Sequence, residues 1–88
     1  MLVHKQIIIR GKVENTGFRL HAMRGACFCG ICGNVRQHGN EIWIEAEGEE
    51  ESVSAFTAWC RDNHEYSEIE SVIINIKTLS GYSDFKIL

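Results

Sequence analysis

The chain has 88 residues, the size of one small domain, and its 44% apolar residues are enough for a single core. A net charge of −3 with scattered Lys and Arg residues argues against a nucleic-acid binder, because such proteins cluster basic side chains along the phosphates. No apolar run approaches the roughly 20 residues that span a bilayer, and the N-terminal segment lacks the features of a signal peptide. We therefore expect one domain over residues 1–88 that is cytoplasmic and monomeric, with no nucleic-acid or membrane partner.

The first predicted strand covers residues 3–13, because this segment is rich in β-branched side chains and ends at a turn. Gly11 lies near its end, and a glycine at such a place often permits a bulge or a close backbone approach. The turn at residues 14–17 contains Asn and Gly, which both tolerate positive φ.

The first predicted helix covers residues 18–29 and begins directly after that turn. Gly25 lowers its helix propensity by about 1 kcal/mol relative to Ala. Gly30 suits the left-handed residue that ends a helix, and Ile31 can make the apolar contact of a Schellman cap. The apolar stripe of this helix consists of Phe18, Ala22, Ala26 and Cys29.

A β-hairpin is predicted next, because two short strand-like segments flank a turn that contains Gly and Asn. Its first strand covers residues 33–37, its turn residues 38–40 and its second strand residues 41–46. Alternate residues of the second strand are apolar, which gives the strand one face for the core: Ile42, Ile44 and Ala46.

The second predicted helix follows Gly48 and starts with glutamates 49–51, which suit the positive end of a helix dipole. We expect it to end near Asn63. Residues 67–77 alternate as a strand, and residues 85–87 form a short final strand. The apolar residues are Val53, Phe56 and Cys60 in the helix, and Val72, Ile74 and Ile76 in the strand.

The predicted order of elements is β-α-β-β-α-β, followed by a short edge strand at the C-terminus. This order is typical of the ferredoxin-like α/β sandwich, an α+β fold whose helices cover one face of an antiparallel sheet. The fold hosts many unrelated activities, so function has to be argued from the residues of a site.

The four cysteines are predicted to be reduced and structural. Cys27, Cys29 and Cys32 could supply three soft ligands to a metal, but zinc sites usually add a second, distant pair. A disulfide framework requires a secretory context, which the sequence does not indicate. None of the four histidines has ligand spacing with the cysteines. We therefore expect no metal and no cofactor.

The segment that points to chemistry is the strand–helix junction at residues 10–19. A turn that contains glycine directs several backbone N–H groups into one concavity, and the helix N-terminus adds its positive end. Arg19 in the first helical turn can bind two phosphate oxygens through its planar guanidinium group. Many strand–helix turns carry Gly and Arg without binding an anion, so the junction alone leaves a purely structural role open.

Longer motifs around this junction resemble those of the acylphosphatase family, whose signature is G-x-V-Q-G-V-x-F-R. Residues 26–37 are similar to a second family segment, A-x-x-x-G-L-x-G-x-V-R-N, and residues 44–48, 58–60 and 81–85 resemble later strands and a helix. The resemblance covers essentially the whole chain and agrees with the predicted order of elements. The signature residues present are Gly11, Val13, Gly17, Phe18 and Arg19.

The resemblance implies a metal-independent hydrolase that cleaves the carboxyl–phosphate bond of acyl phosphates to carboxylate and inorganic phosphate. In the family, the loop amides and the arginine hold the phosphoryl group, and an asparagine positions the attacking water. By position these roles fall on Arg19, on Gln37 and on the loop that precedes Arg19. The predicted phosphate loop consists of Glu14, Asn15, Thr16, Gly17 and Phe18.

Four of these positions depart from the family pattern. Gln37 keeps the carboxamide of the family's asparagine but adds a methylene, and a displacement of about 1 Å can cost on the order of 100-fold in rate. Glu14 replaces a glutamine, and we expect its carboxylate to point to solvent. Asn15 replaces a glycine and preserves the turn, because Asn visits the left-handed region, while Thr16 replaces a valine.

Two functions follow from this pattern. We favour an acylphosphatase in which Arg19 binds phosphate and Gln37 positions water, and the alternative is a catalytically impaired domain that binds phosphate or acyl phosphate. An RNA-binding sheet is disfavoured because the third strand offers Trp43 alone, with acidic neighbours. A metallochaperone is disfavoured because three of the cysteines lie at the end of the first helix and not in the loop before it.

Overall fold

The computed structural model describes residues 1–62 and 68–88, and its elements follow the predicted order. The expected helix end near Asn63, His64 and the expected strand start at Ser67 lie outside these residues. The elements are β1 (Leu2–Lys12), α1 (Phe18–Cys29), β2 (Cys32–His38), β3 (Glu41–Glu49), α2 (Glu50–Asp62), β4 (Glu68–Lys77) and β5 (Phe85–Ile87).

The sheet has five strands in the order β4-β1-β3-β2-β5. The four long strands pair antiparallel, as predicted, whereas β5 runs parallel to β2 and makes the sheet mixed. The reason is the position at which β4 ends. Lys77 lies in the same row of the sheet as Cys32 at the start of β2, so the chain crosses to the far edge and then follows β2 in its own direction.

The β2–β3 hairpin is tighter than predicted. Its turn consists of Gly39 and Asn40 alone, because His38 already belongs to β2 and pairs with Glu41. The expected helix start at Glu49 is also corrected. Glu49 remains in β3 because it pairs with Leu2 of β1, and α2 begins at Glu50.

The core lies between the two helices and one face of the sheet. The predicted apolar stripes are confirmed in both helices, and Cys29 packs against the core as a partly buried residue. In β4 the register places Ile74 and Ile76 on the predicted face, opposite Ile7 and Lys5. Both nevertheless remain exposed, at 45% and 84%, because the helices cover the central strands and not this edge.

Gly11 lies at an irregularity near the end of β1. The register with β4 shifts between Arg10 and Gly11, which confirms the expected bulge. Gly11 has a φ of 150°, and a Cβ built on it would lie 2.1 Å from the main-chain oxygen of Glu68. Only glycine fits this contact, and it fixes where the chain departs toward α1.

The end of α1 is capped as predicted. Gly30 adopts the left-handed conformation with φ 71°, and the amide of Ile31 donates to the carbonyl of Ala26 at 2.8 Å. This bond is the outer hydrogen bond of a Schellman motif, and the Ile31 side chain is buried beside it.

Candidate active site

The turn between β1 and α1 adopts left-handed backbone at two of its residues. Asn15 has a φ of 59° and Gly17 a φ of 76°, and Asn15 is the position at which a non-glycine left-handed residue was expected. Gly17 is the N-cap of α1 and makes no side-chain capping bond. Because the first amides of a helix have no intrahelical acceptors, this end of α1 is suited to receive an anion.

The turn is tied to the body of the protein at its base. The Thr16 hydroxyl donates to the carbonyl oxygen of Val13 at 2.7 Å, and the side chain of Val13 is buried in the core. The amide of Gly11 donates to the carbonyl of Asn40 at 3.0 Å, which joins the end of β1, just before the turn, to the tip of the β2–β3 hairpin that carries Gln37.

Arg19 and Gln37 line one shallow depression of about 240 Å³. Gln37 follows Val35 by two residues and so lies on the helix-facing side of β2, where Val35 is fully buried. Within the predicted phosphate loop, Asn15, Gly17 and Phe18 also line the depression. The loop residues Glu14 and Thr16 do not: Glu14 is exposed, as expected, and Thr16 bonds to the turn itself.

Among the described residues that line the depression, Arg19 alone carries a charge, and the helix N-terminus adds partial positive charge. The Arg19 Nη1 atom donates to the main-chain oxygen of Leu88 at 3.3 Å, which directs the guanidinium along the end of β5. Gln37 Nε2 donates to the carbonyl of Gly39 at 3.2 Å, so the carboxamide is held against its own hairpin turn.

Two apolar residues of the depression were not predicted. Leu20 and Ile87 line it together with the polar residues, and they are 48% and 39% exposed. Leu20 lies off the apolar stripe of α1, and an apolar residue three positions after Gly17 was the available signal. Ile87 reaches the depression because β5 pairs with β2, and the sequence did not reveal that pairing.

Residues 1–62 and 68–88 contain no group of three or more His, Cys, Asp or Glu side chains placed to hold a metal ion. Cys27 is exposed, Cys29 and Cys32 are partly buried, and Cys60 is buried between the layers. Burial raises the pKa of the Cys60 thiol, which therefore stays protonated and packs as a small apolar group.

None of the described helices is long and apolar enough to cross a membrane.

A sequence profile of acylphosphatases matches residues 5–87. The chain belongs to the acylphosphatase family. An acylphosphatase of Geobacter sulfurreducens is 30% identical to it over 89 residues, which cover 99% of this chain and 98% of that relative. An acylphosphatase of Nocardioides is 30% identical over 80 residues, which cover 90% of this chain and 81% of that relative.

Solved acylphosphatase structures have the same fold. The crystal structure of acylphosphatase from Bacillus subtilis superposes with a TM-score of 0.93 at 26% identity, over 100% of this chain and 99% of that one. The crystal structure of full-length HypF in its phosphate- and nucleotide-bound form contains a part, 12% of its chain, that superposes with a TM-score of 0.95 at 30% identity. The predicted family and the ferredoxin-like fold are therefore confirmed. Acylphosphatases act on small acyl phosphates.

Proposed function

We propose that this chain hydrolyses acyl phosphates at the depression that Arg19 and Gln37 share. The observation that carries the proposal is that a member of the acylphosphatase family places these two side chains beside a left-handed turn and a helix N-terminus. A guanidinium group and backbone amide donors match the charge and shape of a phosphoryl group. The leaving carboxylate is stable as an anion and needs little acid catalysis.

In this reaction Arg19 and the turn hold the phosphoryl group. The guanidinium binds two phosphoryl oxygens, and the amides at the start of α1 bind the remaining charge. The charge on the phosphoryl oxygens changes while the phosphoryl group is transferred from the carboxyl oxygen to the water oxygen. Donors that are already in position stabilise this charge without having to reorganise. No metal is needed where donors of this kind surround the phosphoryl group.

Gln37 positions the attacking water in this proposal. The water oxygen bonds to phosphorus as the bond from phosphorus to the carboxyl oxygen breaks. The products are a carboxylate, inorganic phosphate and the proton that the water releases. A carboxamide can accept a hydrogen bond from the water through its oxygen while its nitrogen remains bonded elsewhere. The bond from Gln37 Nε2 to Gly39 is compatible with that arrangement.

The decisive test is the hydrolysis of benzoyl phosphate by the parent and by Arg19→Ala. We expect kcat/KM to fall by about 100-fold or more, the cost typical of removing a charge-stabilising donor. Arg24→Ala is the matched control, because Arg24 is an exposed arginine of the same helix outside the depression. Arg24→Ala should keep parental activity. An Arg19→Ala variant as fast as the parent would refute the proposed site.

The second candidate function is a domain that binds phosphate or acyl phosphate without efficient turnover. The hydrogen bond that holds Gln37 to its own turn favours it, because a carboxamide engaged there has less freedom to orient water. Calorimetry with inorganic phosphate, run beside the hydrolysis assay, separates the two functions. Binding that depends on Arg19, with hydrolysis no faster than the spontaneous rate, would establish the second.

The proposal extends to the setting in which the chain works. A monomeric, cytoplasmic protein without a metal agrees with the sequence predictions and with four cysteines that are free thiols, as in a reducing compartment. Sedimentation at micromolar concentration and activity in the presence of a chelator test the oligomeric state and the metal. A dimer, or loss of activity on chelation, would overturn the corresponding part.

A further inference from the structure

We propose that Leu20 and Ile87 form a subsite for the acyl group, so that the chain prefers alkyl and aryl acyl phosphates to small or charged ones. The inference rests on the proposed function, because the subsite adjoins the place assigned there to the phosphoryl group. Both side chains line the same depression as Arg19 and Gln37.

The residues that line the depression differ in chemistry. Asn15, Arg19 and Gln37 provide polar groups, and Leu20 and Ile87 provide branched aliphatic side chains. An acyl phosphate has the same division, with a charged phosphoryl group at one end and the acyl substituent at the other. A substrate whose phosphoryl group contacts Arg19 in this depression therefore has its acyl end in reach of Leu20 and Ile87.

Neither Leu20 nor Ile87 belongs to the hydrophobic core. The core side of α1 is filled by Phe18, Ala22 and Ala26, and Leu20 lies off that stripe with 48% of its surface exposed. Ile87 ends the edge strand β5 and is 39% exposed. A ligand that covers both residues removes apolar surface from water, which favours apolar acyl groups over polar ones of the same size.

Charge also restricts the acyl group. Arg19 is the one charged residue among the described residues that line the depression, and in the proposed reaction it binds the phosphoryl group. No second charged lining residue is left there to pair with an ionised acyl substituent. An acyl group with a second carboxylate or an ammonium group would lose hydration without a partner in return.

A series of alkyl phosphonates from methyl to hexyl tests the subsite without requiring turnover. Complete burial of a CH₂ group is worth about 0.8 kcal/mol, or roughly fourfold in affinity, and contact on one side gives about half that free energy. We therefore expect the dissociation constant measured by calorimetry to fall by about twofold per CH₂ group. Leu20→Asn and Ile87→Asn should each flatten this dependence, while methylphosphonate affinity changes little.

Leu79→Asn is the matched control, because Leu79 is a 56% exposed leucine outside the depression. It should keep the parental dependence on chain length. The comparison is made within each preparation, so a partly unfolded variant still reports its own slope. A parent whose affinity does not depend on chain length, or a slope that survives both site substitutions, would overturn the subsite.

Hydrolysis of acetyl, butyryl and hexanoyl phosphate separates the subsite from the proposed function. Turnover of all three with equal kcat/KM would overturn the subsite and leave the function intact. Phosphonate binding that strengthens with chain length, without hydrolysis of any acyl phosphate, would support the subsite and refute the enzyme. If no phosphonate binds, the subsite is refuted whatever the hydrolysis assay gives.

Discussion

Gln37 is the residue on which the rate of the proposed reaction depends most directly. Its carboxamide lies in the depression with Arg19, but the longer side chain reaches the turn and donates to the carbonyl of Gly39 at 3.2 Å. The hairpin turn is two residues long and adjoins Gln37 closely enough for this bond to form. Side-chain length and turn length therefore act together on where the carboxamide is held.

Gln37→Asn should raise the turnover of benzoyl phosphate by about tenfold, which corresponds to about 1.4 kcal/mol of barrier. The shorter side chain draws the carboxamide back from Gly39 toward the strand, and restores the residue type that the family resemblance places there. Steady-state kinetics of the parent, Gln37→Asn and Gln37→Ala measure the effect. Gln37→Ala should be slower than the parent. If Gln37→Asn is no faster than the parent, the extra methylene does not limit the rate.

Residue chemistry explains which parts of the site were predictable. The left-handed backbone at Asn15 follows from the residue type, because Asn tolerates that region and few other side chains do. The exposure of Glu14 follows from the cost of burying a carboxylate. Leu20 and Ile87 could not be placed in the depression, because their proximity depends on the pairing of β5 with β2, which leaves no periodic signal in three residues.

At the scale of elements, the side chain of Trp59 in α2 packs against α1 and bonds to it. The Trp59 indole lies across Gly25, and its Nε1 donates to the carbonyl of His21 at 3.0 Å. His21 Nε2 is 3.2 Å from the carbonyl of Trp59 and its ring stacks on the indole at 4.9 Å. The sequence alone indicates that Gly25 lowers the helix propensity of α1. In the structure, its lack of a side chain leaves room for the Trp59 indole and so allows the two helices to approach.

Gly25→Ala should therefore destabilise the protein, although the same change in an exposed helix stabilises by about 1 kcal/mol. A Cβ at position 25 would lie 2.2 Å from Cδ1 of Trp59, and relieving this overlap should lower the free energy of unfolding by about 1–3 kcal/mol. Urea denaturation measures the change. In a Trp59→Ala background the overlap is absent, so Gly25→Ala should become neutral or stabilising. An equal loss in both backgrounds would show that Trp59 is not the cause.

At the scale of the whole molecule, residues 78–84 connect the edge strand β4 to the opposite edge strand β5, which lines the depression. Glu47 is 8% exposed and accepts hydrogen bonds from the amides of Ser80, Gly81 and Tyr82 at 2.6–2.9 Å. His4 is buried beside it, with Nδ1 2.8 Å from the carbonyl of Thr78. This connection leads directly into β5, which provides Ile87 to the depression. The Glu47 carboxylate at one end of the sheet thus helps to position β5, and with it Ile87, at the other end.

Glu47→Gln should destabilise the protein at neutral pH, and the deficit should shrink in acid. The amides of Ser80, Tyr82 and Gly81 lower the pKa of Glu47 from its ordinary value of 4.5, although burial opposes them. A carboxylate with a lowered pKa stabilises the fold above its unfolded-state value, and this contribution is lost as the pH falls through the folded-state pKa. Glutamine has no charge to lose, so the difference between parent and variant should begin to shrink as the pH falls below the ordinary value of 4.5 and should vanish below the lowered folded-state pKa. Unfolding free energies from about pH 7 to pH 3 test this, with the exposed Glu70→Gln as control. A difference between parent and Glu47→Gln that stays constant over that range would show that the charge of Glu47 does not hold the connection.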